Sequence, residues 1–214
     1  MSETLTALAA ALPLAAGWSV HGLRLRRRIE TARHDPLTGL LNRDAFEDRA
    51  SRTLNHGPRA VYFVDLDGFK EINDTYGHAA GDAVIRATGH RMQQWATENA
   101  GLAARLGGDE FAAVTSVYSA ADLEWSLYQL SDQLEQYVDF EGQLIAVFAS
   151  IGTIHSDPRT GEADLSTLLR RADEEMYKAK QTESAWNIAQ SLTPTVRTVN
   201  GRRAGRRGTT GGAA

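Results

Sequence analysis

The chain has 214 residues, of which 42% are hydrophobic and 23% are charged, and its formal net charge is −4. A chain of this size and composition can form one globular domain with a sizeable core and some accessory segments. Its slightly acidic balance gives no reason to expect nucleic acid as a partner. The absence of cysteine excludes disulfide frameworks and cysteine-based metal sites, and it fits a reducing compartment.

In the N-terminal segment, residues 5–20 are nearly all apolar, and the run can be extended through His21 to Leu23. Its length is marginal for a helix that spans a bilayer, which needs about 20 apolar residues. No lysine or arginine precedes it, so a cleaved signal peptide fits worse, whereas a basic cluster follows it at Arg24 and Arg26–Arg28. We therefore predict a single-pass anchor in the cell membrane, with the rest of the chain in the cytoplasm. The alternative is a helix that is buried, or packed against a partner, in a cytoplasmic protein.

Helical and strand patterns alternate along the rest of the chain. Residues 20–34 predict a helix that leads into the domain, and Asn42 can cap a second helix that ends near residues 55–58. Apolar spacing predicts further helices over residues 79–97, 119–138 and 165–180, and strands over residues 60–64, 102–106, 111–115 and 144–154. This order predicts an α+β fold, in which helices flank one face of an antiparallel-rich central sheet.

We divide the chain into an N-terminal hydrophobic segment with a linker helix (residues 1–34), a domain (residues 35–185) and a Gly- and Arg-rich tail (residues 186–214). Residues 194–214 are rich in Thr, Gly, Arg and Ala and contain almost no large apolar side chain, so we predict that the tail is disordered. Four of its arginines could contact an anionic surface, and the alternative is a solvated tail without a role. They are Arg202, Arg203, Arg206 and Arg207.

The most informative stretch is a hairpin pattern, in which two short apolar strands flank a Gly-Gly-Asp-Glu-Phe sequence at residues 107–111. Gly107 and Gly108 can supply the positive φ angles of a tight turn, and they leave the backbone open to the close approach of a ligand. Asp109 and Glu110 would then lie at the tip of the hairpin. If residues 107–111 are considered alone, the alternative to a ligand-binding tip is an ordinary polar hairpin.

A second acidic position, Asp65, directly follows the apolar run of residues 61–64. If its strand neighbours the hairpin, Asp65 and Asp109 converge at one end of the sheet. Paired hard oxygen ligands there suit Mg²⁺ or Mn²⁺, because such an ion keeps water and substrate phosphates as its other ligands. The alternative for an aspartate at a strand end is a turn or a helix cap.

Several further motifs precede the hairpin in the sequence. They are Asp35–Arg43 (DPLTGLLNR), Asp65–Lys70 (DLDGFK), Asn73–Asp74, Tyr76–His78 and Gly81–Asp82. Together with residues 107–111, these motifs resemble the GGDEF family of diguanylate cyclases, over roughly residues 35–183. The resemblance implies a GGDEF fold similar to the palm of nucleotide polymerases and cyclases. It also implies a reaction that condenses two GTP molecules into cyclic di-GMP with release of pyrophosphate.

The resemblance implies a metal site formed by the carboxylates of Asp65 and Asp109 and by the backbone carbonyl of Leu66. Asp109 is also the expected proton acceptor, and Glu110 is expected to support a metal or the attacking hydroxyl. Lys70 is expected to offset the charge that develops on the phosphate. Without the motif, Lys70 would be interpreted as a solvated surface lysine.

The remaining family positions concern the substrate. The residues expected to bind GTP are Asn73, His78, Asp82, Gly107, Gly108 and Lys180. Asn73 and Asp82 match the pair that contacts guanine, although such residues are otherwise turn or cap residues. His78 is either a pocket residue or a local structural histidine. Lys180 matches the family's phosphate-binding lysine.

The chain departs from the family pattern at two places. The arginine four residues after Lys180 is replaced by Ser184, with Glu183 before it, so a charge-assisted contact of about 1.5–3 kcal/mol is missing. The Arg-x-x-Asp pair of a product-inhibition site is also missing, because Glu98 and Gly101 stand at its charged positions. We therefore expect no feedback inhibition through that site.

Because each domain presents one GTP, the resemblance implies a homodimer with facing active sites. The rival hypothesis is a catalytically inactive module that binds GTP or a protein partner as a regulator. The Ser184 departure favours the rival, whereas the intact positions at Asp65, Lys70 and residues 107–111 favour the enzyme.

Overall fold

A five-stranded sheet forms the centre of the fold. The computed structural model describes Trp18, His21, Arg24 and residues 30–159 and 164–192. Its elements, in chain order, are α1 (Arg43–Leu54), β1 (Arg59–Asp67), α2 (Phe69–Tyr76), α3 (His78–Glu98), β2 (Leu102–Gly107), β3 (Glu110–Ser116), α4 (Ala120–Leu134), β4 (Val138–Phe140), β5 (Gln143–Ile145), β6 (Phe148–Ser156), α5 (Leu165–Gln181) and β7 (Trp186–Ala189). The strand order is β2–β3–β1–β6–β7, and only the β6–β7 pair is parallel. The predicted α+β class is confirmed.

Helices pack on both faces of the sheet, whereas the sequence analysis predicted one face. Along β1, Tyr62 and Val64 belong to a core cluster with α3 and α4, and Val61 and Phe63 belong to a second cluster with α1 and α5. Successive side chains of a strand point to opposite faces, so a strand that is apolar at every position is buried on both sides. The uninterrupted apolar run of β1 is therefore the sequence signal for helices on both faces.

β1 is longer than predicted. It continues through Asp65 to Asp67 and is followed by Gly68, whose φ of 65° lies in the left-handed region. Helix α2 begins directly afterwards and was not predicted. It has eight residues and only Ile72 is buried, so it carries no apolar stripe that the sequence could reveal.

The region after α4 also corrects the predicted boundaries. The helix predicted to reach Val138 ends at Leu134, because Val138 pairs with Ile145 in the β4–β5 hairpin. This hairpin divides the predicted strand over residues 144–154, and β6 begins only at Phe148.

β7 lies directly after residue 185, the predicted end of the domain. Trp186–Ala189 pairs in parallel with Ile151–Ile154, so this stretch belongs to the sheet and not to a tail. The rest of the predicted tail and most of the predicted anchor over residues 5–23 lie outside the described residues. Within the described part of the chain, no helix is both long and apolar enough to cross a membrane.

Helix α5 lies directly against β6 at Gly152. A Cβ atom at this position would overlap the carbonyl oxygen of Ala172 and the backbone nitrogen of Met176. Glycine therefore allows the backbone of the helix to reach the strand. Lys180 follows Met176 by four residues on the same helix, so this contact sets how far the Lys180 side chain lies from the sheet.

A buried ion cluster ties α5 to the segment that follows β7. The guanidinium of Arg171 pairs with Glu174 and, at 3.1 Å, with Glu175. Its Nε donates to the carbonyl oxygen of Ser191 at 2.9 Å. Because a buried charge is tolerated only with such partners, the cluster holds β7 and α5 together.

We predict that Gly152→Ala lowers the free energy of unfolding by about 1–3 kcal/mol, because the added methyl group forces α5 away from β6. Urea unfolding followed by circular dichroism measures the change, and His155→Ala, at an exposed position of the same strand, is the control. A Gly152→Ala variant within about 0.5 kcal/mol of the native stability would contradict the close contact.

Candidate active site

Three carboxylates lie on one face of the sheet near the end of β1. Asp65 lies directly opposite Glu110 in the antiparallel β1–β3 pair, so their side chains share one face of the sheet. Asp67 follows Asp65 by two positions on β1 and shares that face too. Asp65 is only 5% exposed. The sequence prediction that Asp65 and the hairpin tip lie at one end of the sheet is consistent with this register.

Asp109 lies in the two-residue turn between β2 and β3. Gly107 pairs with Glu110, and the φ angles of Gly107 and Gly108 are 143° and 57°, which a residue with a side chain rarely adopts. The backbone N–H of Leu66 donates to the carbonyl oxygen of Asp109 at 3.3 Å. This bond places the turn beside the end of β1.

Arg105 fixes the same turn from β2. Its Nε and Nη2 donate to the carbonyl oxygen of Gly108 at 3.0 and 2.8 Å, and its Nη1 lies 3.3 Å from both carboxylate oxygens of Asp35. Asp35 also accepts hydrogen bonds from the backbone N–H and the hydroxyl of Thr38, at 2.8 and 2.7 Å. The motif at residues 35–43 therefore supports the hairpin turn through one arginine.

The charge of Asp35 depends on these partners. Burial raises the pKa of the Asp35 carboxyl, but the hydrogen bonds from Thr38 and the charge of Arg105 outweigh burial and bring the pKa below its ordinary value. The carboxylate is therefore ionised over the whole neutral range, and the bridge to Arg105 is a charged one.

Lys180 reaches the carboxylates from the last turn of α5. Its ammonium pairs with Asp65 and lies 3.2 Å from an oxygen of Asp67. Asp67 in turn accepts hydrogen bonds of 3.0 and 3.1 Å from the hydroxyl of Ser150 on β6. Burial lowers the pKa of Lys180, but the hydrogen bonds and charges of both aspartates outweigh burial and raise it. The carboxylates therefore attract and hold a cation.

The predicted guanine contacts lie on the two helices that follow β1. Asn73 on α2 is half-buried, and its amide nitrogen donates to the carbonyl oxygen of Phe69 at 3.1 Å. Gly81 on α3 packs against the Asn73 amide so closely that a Cβ atom would overlap it. The next residue is Asp82, which is exposed and lies 3.9 Å from Arg86. The structure thus places Asn73 beside the backbone that carries Asp82.

Two other predicted residues lie exposed near these elements. Lys70 occupies the first turn of α2 and forms no ion pair with a described residue, and His78 is the first residue of α3. Both side chains are exposed to solvent, so a bound ligand can reach them.

The predicted metal ligands can be compared with the coordination that a divalent cation prefers. No group of three or more His, Cys, Asp or Glu side chains that could hold a metal occurs in the described ranges. The predicted set of Asp65, Asp109 and the carbonyl of Leu66 has two carboxylates, which suits Mg²⁺ because this ion usually keeps several waters and binds through one or two carboxylates plus phosphate.

The segment after Lys180, where Glu183 and Ser184 differ from the family pattern, has a defined backbone structure. Glu183 has a φ of 52°, a left-handed value that usually favours glycine at the end of a helix. The backbone N–H of Ser184 donates to the carbonyl oxygen of Ala179 at 3.0 Å, and the hydroxyl of Thr182 donates to that of Ser184 at 3.1 Å. Residue 184 therefore carries a short neutral side chain where the family pattern has a cation.

Sequence reasoning missed three residues of the site. Asp67 was missed because β1 was predicted to end at residue 64, although its spacing of two from Asp65 was the available signal. Ser150 lay inside a predicted strand without any motif. Nothing in the sequence indicated this role of Arg105, since its partner Asp35 lies 70 residues away.

The chain is similar to proteins of known family. The sequence model of the family described as "Diguanylate cyclase, GGDEF domain" matches residues 32–185. A 19.3 kDa protein of Streptomyces ambofaciens, described as uncharacterized, is 43% identical over 173 residues, which cover 79% of this chain and 89% of that protein. The diguanylate cyclase DgcP of Escherichia coli is 37% identical over 154 residues, covering 69% of this chain and 44% of DgcP. Other relatives are longer, and the chain spans 21% and 24% of two of them.

The fold is similar to solved structures as well. The crystal structure of the coiled coil and GGDEF domain of DgcB from Caulobacter crescentus, in complex with c-di-GMP, matches with a TM-score of 0.68 and 27% identity. The match covers 81% of this chain and 95% of that chain.

We predict that Asp35→Asn destabilises the fold by about 1.5–3 kcal/mol at pH 7, because it removes the charged bridge to Arg105. The pKa of Asp35 is lower in the folded chain than in the unfolded chain, so this stabilisation is present above the unfolded pKa of about 3.9 and is lost as the pH falls through the folded value. Urea unfolding at a series of pH values should show the difference between the two proteins narrowing below that range. A difference that stays constant with pH would contradict the bridge, and Glu47→Gln on the exposed side of α1 is the control.

Proposed function

This chain belongs to the GGDEF family of diguanylate cyclase domains, and we propose that it is an active member that condenses two GTP molecules into cyclic di-GMP with release of pyrophosphate. The observation that carries the proposal is the cation site at the end of β1. There Asp65 and Asp67 hold the ammonium of Lys180, and Glu110 lies opposite Asp65. Asp109 lies in the adjacent turn, within reach of a ligand at the sheet end.

The donor set fits Mg²⁺, or Mn²⁺ with the same oxygen ligands. In our proposal the ion is held by the carboxylates of Asp65 and Asp109 and by the carbonyl oxygen of Leu66. When bound, it neutralises charge on the phosphates and lowers the pKa of the attacking hydroxyl. The observed ion pair with Lys180 supports the assignment, because it shows that the carboxylate of Asp65 attracts a cation.

Lys180 then has two positions available. A divalent cation at Asp65 would compete with its ammonium for that carboxylate, and Asp67 offers the ammonium a second carboxylate, to which the hydroxyl of Ser150 donates a hydrogen bond. In that position the ammonium remains at the site and can contact the substrate phosphates. This assignment reconciles the predicted role of Lys180 as a phosphate ligand with its observed contacts.

The hairpin and α2 supply the groups that act on the reacting atoms. The 3′-hydroxyl of one GTP attacks the α-phosphorus of the other, and we assign the proton to Asp109, with Glu110 supporting the hydroxyl or a metal. Lys70 lies exposed three residues after the end of β1, where its ammonium can offset charge on the phosphate. Such a reaction depends mainly on positioning and charge neutralisation.

Guanine recognition is assigned to α2 and α3. The N1 and N2 donors of guanine suit the carboxylate of Asp82, and the acceptors of the base suit the amide of Asn73. Gly81 supports the assignment because its missing side chain leaves room for the Asn73 amide. His78 lies between them at the start of α3 and is proposed to line the same pocket, while Gly107 and Gly108 let the nucleotide approach the backbone of the turn.

The active unit in this proposal is a homodimer, because each domain presents one GTP and two must meet. The helix over residues 20–34 and a membrane anchor over residues 5–23 would hold two chains close together and raise their effective concentration. Both elements are proposals from the sequence.

A second candidate function is a regulatory module that binds GTP, or a protein partner, without turnover. The observation that favours it is Ser184, whose neutral side chain replaces a phosphate-binding arginine, next to the carboxylate of Glu183. The two hypotheses differ in a single readout, which is the conversion of bound GTP.

We predict that Asp109→Ala retains the fold and GTP binding but forms cyclic di-GMP at least about 100-fold more slowly, because it removes the proposed proton acceptor and metal ligand. The measurement is chromatographic separation of the nucleotides after incubation of the full chain with Mg²⁺ and GTP. Glu47→Gln, which removes an exposed carboxylate on α1, should leave the rate unchanged. Product formation by Asp109→Ala within about twofold of the native rate would refute the assignment.

A further inference from the structure

The charges of this chain are segregated along its sequence. Residues 106–158 contain no lysine or arginine but nine acidic residues, which are Asp109, Glu110, Asp122, Glu124, Asp132, Glu135, Asp139, Glu141 and Asp157. Residues 193–214 contain five arginines and no acidic residue. The overall net charge of −4 therefore conceals an acidic stretch within the domain and a basic C-terminal segment.

Helix α4 presents part of the acidic region together with exposed aromatic rings. Its buried side contributes leucines to the core. On its outer side, Trp125 and Tyr128 are 60% and 55% exposed, and their rings stack at 5.8 Å with an interplanar angle of 18°. Glu124 and Asp132 are exposed beside them, and neither forms an ion pair with a described residue. Tyr118, 78% exposed, precedes the helix. We call this surface the outer face of α4.

We propose that the C-terminal segment of this chain, residues 197–207, docks on the outer face of α4 through its arginines. An arginine guanidinium can stack on an aromatic ring and pair with a carboxylate at the same time. The outer face offers both kinds of partner one helical turn apart. The segment offers Arg197 and the two arginine pairs at residues 202–203 and 206–207, separated by small residues that let an extended chain follow a surface.

The position of Leu192 allows this docking. β7 runs parallel to β6, whose end at Ser156 pairs with Arg59, and Arg59 pairs with Ser116 at the end of β3. Tyr118 follows two residues later, so the end of β7 and the start of α4 lie at the same end of the sheet. β7 and β3 are three strand spacings apart, or about 14 Å.

The chain length beyond Leu192 exceeds this distance. An extended chain covers about 3.3 Å per residue, so the ten residues from 193 to 202 span about 33 Å. Tethering to the same chain gives the arginines an effective local concentration in the millimolar range, so that weak contacts suffice. The proposal commits to the chain's own segment and does not depend on the reaction proposed above.

The test uses ¹⁹F NMR of the full chain labelled with 5-fluorotryptophan, with the Trp125 resonance assigned from Trp125→Phe. A variant with glutamine at Arg202, Arg203, Arg206 and Arg207 should shift the Trp125 resonance relative to the native chain. Raising the salt from about 0.05 M to about 0.5 M should move the native resonance in the same direction, because the contacts are charged. Trp95, which is fully buried in the core, should keep its resonance in all samples.

Two further variants separate the outer face of α4 from general charge effects. Glu124→Gln combined with Asp132→Asn should reproduce the shift, whereas Glu47→Gln on α1, which packs on the opposite face of the sheet, should not. A Trp125 resonance that is identical in the native chain and the arginine variant at low salt would overturn the proposal. A difference that develops only as the protein concentration rises would also overturn it, since the occupant would then be another copy of the chain.

Discussion

The contact between α5 and β6 at Gly152 is the constraint on which the site depends. Because the helix backbone touches the strand there, Lys180 comes close enough to the neighbouring strand to pair with Asp65 and Asp67. The buried Arg171 ties the same helix to the segment after β7. Both contacts fix α5 relative to the sheet, and so they fix the backbone position from which the Lys180 side chain reaches the carboxylates at the end of β1.

The hairpin turn is fixed by a separate interaction. Arg105 joins the carbonyl oxygen of Gly108 to the carboxylate of Asp35, and so connects the turn to the loop that precedes α1. Helix α5 and the hairpin turn both contact the end of β1. Lys180 of α5 pairs with Asp65 there, and the backbone N–H of Leu66 donates to the carbonyl oxygen of Asp109 in the turn. Carboxylates gathered at one strand end repel each other and need a positive partner. Lys180 is this positive partner in the structure, and a divalent cation would be the positive partner in the proposed reaction.

The sequence predicted the order of most elements and the α+β class, because apolar periodicity and turn glycines are local signals, and the motifs indicated the family by resemblance. Most side-chain contacts between distant segments were not predicted. Arg105 and Asp35, which form an ion pair, are 70 residues apart in the sequence. The contact of Lys180 with Asp67 was not predicted, because the predicted strand ended at residue 64 whereas β1 continues to Asp67. β7 was not predicted, because Trp186 and Ile188 become half-buried only through pairing of β7 with β6 and packing against the core.

The proposed cyclase and the rival regulatory module share this architecture and differ in turnover. The two are distinguished by the dependence of the initial rate of cyclic di-GMP formation on protein concentration, measured with the full chain, Mg²⁺ and saturating GTP. Since each chain of a cyclase presents one GTP, we expect the rate per chain to rise with protein concentration until the dimer is saturated. GTP that binds but is recovered unchanged at every protein concentration would instead identify a regulatory module without turnover.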